Sequence, residues 1–226
     1  MSTENTPVHI GFIVDGNRRW ARENNLPTLE GHKKGFSEIE TIAEKVFNSG
    51  VKFASFYVFS TENWQRSKEE VSYLMQLLRA GIGRLSKKMF KNNIKCLVLG
   101  GEKNVPEDLL KSIKEAEELT KDCTGGTACF CFNYGGQQEI VDAANKAAKD
   151  GEITIESLSQ NLYKPEVPPV DLIVRTSGEE RISGFMLWRA AYSEFIFLKK
   201  YWPDITPDDI DEILKEYKNR QRRFGK

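Results

Sequence analysis

The chain has 226 residues, enough for one domain of generous size with a full core. Its 33 basic and 33 acidic residues cancel, so no global charge draws it to nucleic acid, and any anion binding has to come from local clusters. The polar start Met1-Ser-Thr-Glu-Asn-Thr6 lacks the apolar stretch of a secretory signal, and no run approaches the length of a membrane span. A cytoplasmic protein with at most peripheral membrane contact is expected.

Ile10, Phe12, Ile13 and Val14 make a short apolar run typical of a buried strand. Asp15-Gly16-Asn17 is a turn that also opens a helix, with Arg18, Arg19 and Trp20 in its first turn. Free backbone N–H groups, the helix dipole and two guanidiniums converge there, which suits a phosphate. Asp15 fits among them if a divalent cation bridges it to that phosphate; the plainer reading is a capping acid with solvated arginines. After Gly31-His-Lys-Lys-Gly35, the residues Phe36, Ile39, Ala43, Val46 and Phe47 define one helix face, closed by Asn48-Ser-Gly50.

Phe53 to Phe59 reads as a second strand, running into the polar loop Ser60-Thr-Glu-Asn-Trp-Gln-Arg66. Ser67-Lys-Glu-Glu70 is a capping box that starts a long helix with Val71, Leu74, Leu78, Ile82 and Leu85 inward. Ile94–Leu99 is a third strand, Pro106 begins the next helix, and Thr127–Phe132 is a fourth strand followed by Asn133-Tyr-Gly-Gly136 and another helix. A short helix near Ile155–Leu162 and the linker Lys164-Pro-Glu-Val-Pro-Pro169 lead to a fifth strand, Val170–Val174, which ends in Arg175-Thr-Ser-Gly-Glu-Glu-Arg181. Phe185–Ala191 is expected to be helical, Glu194–Leu198 a sixth strand, and Thr206-Pro207 the start of the last helix. Cys129 and Cys131 have no second Cys/His pair at zinc spacing and read as buried thiols.

Strands alternating with helices predict an α/β fold, a single domain over 1–226 with one central parallel six-stranded sheet flanked by helices. Ligands of such sheets sit at the carboxyl ends of the strands, so the loops after the strands should ring one pocket. It would collect Arg18, Arg19, Arg66, Arg175 and Arg181, enough for more than one phosphate group. No nucleotide-binding glycine fingerprint is present. Phe53, Phe56, Tyr57, Phe59, Phe130 and Phe132 could line an apolar tunnel beneath it, although ordinary core is the blander reading for most of them.

Asp15-Gly-Asn-Arg-Arg-Trp20, Gly31-His32, Phe59-Ser-Thr-Glu-Asn-Trp64, Arg175-Thr-Ser-Gly-Glu-Glu-Arg-Ile-Ser183, Leu187-Trp188 and Trp202-Pro-Asp204 together resemble the cis-prenyltransferases, the undecaprenyl diphosphate synthase family. The resemblance spans nearly the whole chain. It implies condensation of isopentenyl diphosphate onto an allylic diphosphate of the geranyl or farnesyl type, with Mg2+. It further implies that Asp15 is catalytic and metal-binding, with Glu194 as the second metal-associated acid. Gly16, Asn17, Arg18, Arg19 and Trp20, with His32, match the allylic diphosphate site. Arg175, Arg181, Ile182 and Ser183 match the isopentenyl diphosphate site. Ser60, Thr61, Glu62, Asn63, Trp64 and Arg66 match a mobile loop, with Asn63 at the position usually assigned to proton removal. An amide is too weak a base for that alone, so Asn63 is read as an orienting group.

The resemblance also implies a homodimer, with the C-terminal Arg222-Arg-Phe-Gly225 near its interface. Four positions depart from the family pattern. Thr28 replaces a frequent arginine, Gly184 a frequent asparagine, and Val58 and Phe132 stand where long-chain members tend to carry alanine. If Val58 and Phe132 face the tunnel they narrow it, which predicts a short or medium product. A catalytically silent partner subunit and an unrelated phosphate-ester hydrolase are the competing readings. Retention of Asp15, Asn63, Arg175, Arg181 and Glu194 opposes the first, and the lack of a nucleophile or two-metal acid cluster opposes the second.

Overall fold

The computed structural model describes residues 6–220. In chain order these form β1 (His9–Ile13), α1 (Asn17–Glu23), α2 (Thr28–Asn48), β2 (Phe53–Ser60), a 3₁₀ turn (Thr61–Gln65), α3 (Lys68–Lys91), β3 (Ile94–Leu99) and α4 (Glu107–Thr120). There follow β4 (Gly126–Tyr134), α5 (Gly136–Asp150), α6 (Ile155–Gln160), β5 (Leu172–Arg175), β6 (Glu194–Phe197), a second 3₁₀ turn (Trp202–Asp204) and α7 (Pro207–Asn219). The six expected strands make one sheet, in the order β3-β4-β2-β1-β5-β6, and every pairing is parallel. No helix among the described residues is long and apolar enough to cross a membrane.

Parallel strands need crossovers, which cover both faces of the sheet and leave its central strand dry. All five residues of β1 are accordingly buried. On one face Phe12 stacks on Phe56 with ring centroids 5.3 Å apart, and Trp202 closes over both at about 6 Å. On the other face Ile13, Cys129, Cys131 and Phe185 pack together, so the two C-x-C thiols are buried core residues. Arg189 donates to Glu139 at 2.7 Å, both almost fully buried, and its other N–H groups reach the carbonyls of Val167 and Tyr163.

Two elements differ from the periodicity. α2 begins at Thr28, well before Phe36, and takes both glycines of Gly31-His-Lys-Lys-Gly35 into its first turns. A Cβ at Gly31 would collide with the Asn17 carbonyl, and one at Gly35 with the Asn17 side chain. The glycines therefore serve close approach of the Asp15 loop, which outweighs their low helix propensity. Phe185–Ala191 is not a helix but a series of turns. Ser183 (φ 49°), Gly184 (φ 77°) and Met186 (φ 46°) lie in the left-handed region, from which a right-handed helix cannot propagate.

β1 sits between β2 and β5, and the chain leaves β1 toward one side and returns on the other. That topological switch point is where such sheets place ligands.

Candidate active site

Asp15 follows β1, and Thr176 follows β5 beside it. The Asp15 N–H donates to the Thr176 hydroxyl oxygen at 3.0 Å, and that hydroxyl donates to the Asp15 carbonyl at 2.7 Å, which locks the two loops. The Asp15 carboxylate accepts from the Gly16 N–H at 2.7 Å and from Arg175 Nη2 at 2.8 Å, with Arg19 Nη2 at 3.6 Å. Burial alone would raise the Asp15 pKa; the Arg175 guanidinium and the Gly16 N–H outweigh it and hold the carboxyl below the usual range. Arg175 is buried, and its Nη1 donates to the Arg181 carbonyl at 2.5 Å and to Ser183 Oγ at 2.9 Å. Its buried Nε has no hydrogen-bond acceptor, an unmet donor in a site built for anions.

Gly16 turns the chain into α1 at φ 102°, and a Cβ there would lie 2.6 Å from the Tyr201 ring. No side chain caps α1, so its first N–H groups are open at the cleft. Arg19 is held over the Tyr201 ring, donating to Ser177 Oγ at 2.6 Å and Glu179 Oε1 at 2.9 Å. Arg18 is more exposed and approaches Glu70 at 3.9 Å.

The loop after β2 closes the third side. The Ser60 N–H donates to Asn63 Oδ1 at 3.0 Å, while the Ser60 hydroxyl accepts from the Asn63 backbone. Trp64 donates its indole N–H to Asn133 Oδ1 at 2.7 Å and packs edge-on to Phe59. Arg66 and His32 both reach one carboxylate oxygen of Glu70, at 2.9 and 3.0 Å. Burial draws His32 below its ordinary pKa, and its hydrogen bond to Glu70 offsets part of that. Together Asp15, Gly16, Asn17, Arg18, Arg19, His32, Asn63 and Arg66 line a cleft of about 770 Å³.

Other expected site residues stand apart from this cleft. Trp20 points outward, its indole N–H on Asp204 at 2.6 Å. Thr61 and Glu62 bond each other at 3.1 Å on the exposed side of the loop. Arg181 is largely exposed and pairs with Glu179, while Ile182 packs into the core beside Met186. Glu194 opens β6 opposite Leu172, which is itself opposite Ile10, so it lies toward the amino ends of strands whose carboxyl ends carry Asp15. Its carboxylate is held by Arg220 at 2.9 Å, and within one chain the two acids are not brought together. Arg222-Arg-Phe-Gly225 lies outside the described residues. Residues the sequence did not single out are Arg22, which lines the same cleft as Thr28, and Tyr201, Ser177 and Glu70. Arg22 was legible as the residue one helical turn beyond Arg18; Tyr201 had no local signal.

Behind the cleft, an apolar pocket of about 50 Å³ lies between the sheet and α3 and α4. Val58 borders both spaces. Of the six aromatic residues expected along a tunnel, Phe130 and Phe132 line the pocket, Tyr57 lines the cleft, Phe56 and Phe59 are core, and Phe53 is half-buried against the core layer of Ile13, Cys129 and Phe185.

Residues 13–225 match the family model described as "Putative undecaprenyl diphosphate synthase". The chain belongs to the cis-prenyltransferases, the undecaprenyl diphosphate synthase family. It is 42% identical over 225 residues to an isoprenyl transferase of Thermotoga maritima, covering 97% of each chain. It is 39% identical to the farnesyl-diphosphate-specific ditrans,polycis-undecaprenyl-diphosphate synthase of Micrococcus luteus, covering 97% of this chain and 91% of that one. The crystal structure of lavandulyl diphosphate synthase from Lavandula x intermedia, in complex with dimethylallyl diphosphate, superposes with a TM-score of 0.95 at 31% identity, covering 99% of this chain and 100% of that one. This cis-prenyltransferase thus shares its single parallel sheet with structurally characterised members of an enzyme family.

Proposed function

We propose that this cis-prenyltransferase condenses isopentenyl diphosphate onto an allylic diphosphate of the geranyl or farnesyl type, with Mg2+ and as a homodimer, to give a Z-polyprenyl diphosphate of short or medium length. The observation that carries the reading is the ionised Asp15 carboxylate between Arg175 and Arg19, in a cation-lined cleft that adjoins an apolar pocket at Val58. One side suits a diphosphate head and the other a hydrocarbon tail.

Among the described residues no three His, Cys, Asp or Glu side chains come together as a metal cage. A single carboxylate amid phosphate-binding groups is nonetheless what Mg2+ uses when substrate oxygens complete its shell, so Asp15 fits it. Bound there, the ion would supply positive charge for the departing diphosphate.

Arg18, Arg19 and the open N–H groups of α1 bind the allylic diphosphate, and Arg175 with Ser183 and Arg181 bind the isopentenyl diphosphate. As the allylic C–O bond breaks, its electron pair leaves on the diphosphate, where these guanidiniums stabilise it. Tyr57 lines the cleft, and an aromatic residue there tolerates the allylic cation. The isopentenyl double bond then forms the new C–C bond, and a proton is lost. Asn63 Oδ1 is already occupied by the Ser60 N–H, which leaves its NH₂ to donate to substrate. Asn63 orients, and the departing diphosphate takes the proton.

The test is incorporation of labelled isopentenyl diphosphate by the purified protein with Mg2+ and a panel of allylic primers, products being sized. Absence of incorporation with every primer overturns the proposal. The pocket has room for only a few water-sized groups. Phe132→Ala is therefore expected to shift the product ladder by one or more isoprene units; an unchanged ladder would remove Phe132 as a limit on chain length.

A further inference from the structure

Glu70 occupies the place of a helix cap, and half of the capping box forms: its N–H donates to Ser67 Oγ at 3.2 Å. The carboxylate does not return to Ser67. It turns inward, is 9% exposed, and gathers three basic side chains from three separate elements. Oε1 accepts from His32 on α2 at 3.0 Å and from Arg66 on the loop after β2 at 2.9 Å, and Oε2 lies 3.9 Å from Arg18 on α1. All three line the cleft, with Glu70 directly behind them.

A buried acid beside a phosphate site repels the ligand, so its presence calls for a compensating role. Arg66 spends one N–H on Glu70 and keeps the others of its planar fork for phosphate. Without that anchor Arg66 and Arg18 are long flexible chains whose ordering has to be met when substrate binds. We propose that Glu70 is a positioning residue for the allylic diphosphate, pre-organising Arg66, His32 and Arg18 as one cradle before the substrate arrives. This rests on the assignment of the cleft to the allylic diphosphate. Burial pushes the Glu70 carboxyl up, but Arg66 and His32 more than offset it, so the anchor is ionised at neutral pH.

The inference is tested with Glu70→Ala and the isosteric Glu70→Gln in the full chain, with thermal melts to confirm folding. For Glu70→Ala the KM for the allylic diphosphate should rise about tenfold. The KM for isopentenyl diphosphate, which Arg175 and Ser183 serve, should stay within about twofold. Glu70→Gln, which keeps an acceptor for Arg66 but loses the charge, should fall between. Calorimetric titration with inorganic diphosphate and Mg2+ should show the same tenfold loss for Glu70→Ala without any turnover. Equal rises in both KM values, or no rise in the allylic one, would overturn the role of Glu70. If the unaltered protein incorporates no isopentenyl diphosphate, the proposed function fails instead, and the diphosphate titration still decides the role of Glu70.

Discussion

Asp15→Asn is expected to lower kcat/KM about 10³-fold, on the order of 4 kcal/mol of transition-state stabilisation. The substitution preserves shape and burial but removes the charge that faces Arg175 at 2.8 Å and Arg19 at 3.6 Å, and with it the carboxylate proposed to hold Mg2+ in the cleft. Steady-state kinetics across Mg2+ concentrations will read this; a variant retaining a tenth of normal turnover would remove Asp15 from the chemistry. A pH experiment on folding separates the structural share. Because the folded-state pKa of Asp15 is depressed, its stabilisation is complete above the unfolded-state value and is lost as pH falls through the folded one. Denaturant titrations from neutral pH down to about pH 3 should therefore show a shallower acid loss in Asp15→Asn than in the parent. Equal acid limbs would mean that the Arg175 contact does not depress the Asp15 carboxyl in solution.

Arg189→Met is expected to cost about 3–5 kcal/mol of stability, because it leaves the Glu139 carboxylate buried without its cation. For a chain of this size that corresponds to a fall in melting temperature on the order of 10 °C. Turnover per folded molecule should be preserved, since Arg189 supports the carbonyls of Val167 and Tyr163 rather than the cleft. The double change Arg189→Met with Glu139→Leu should recover part of the loss, as neither charge then remains buried alone. Thermal melts of the three variants check this, and a single variant within about 1 kcal/mol of the parent would contradict it.

The strands and the ring of strand-end loops were legible because alternating apolar runs and Gly-rich turns are local signals. Asp15, Arg19, Arg175 and Ser183 could be grouped from sequence for that reason, and the family motifs sharpened the grouping. The failures have physical causes. α2 was read as starting too late because Gly31 and Gly35 look like breakers, whereas a neighbouring loop requires their missing side chains. Phe185–Ala191 has helix-forming residues, but Ser183, Gly184 and Met186 are held in left-handed conformations by the turns that carry Ser183 to Arg175. Glu70 matched a capping box, and only the folded chain turned its carboxylate toward Arg66, one helical turn away, and His32, 38 residues distant in sequence.

By itself, then, the sequence determined an α/β sheet, its parallel strands and the family to which the site belongs, since these follow from periodicity, turn chemistry and contiguous motifs. The tertiary structure decided which of the named residues share a cleft. It turned Trp20 to Asp204 and placed Glu194 toward the other end of the sheet from Asp15. It also set Val58 between a cation-lined head site and an apolar pocket. These outcomes depend on strand order and on the directions of side chains from elements far apart in the chain, which no local pattern encodes.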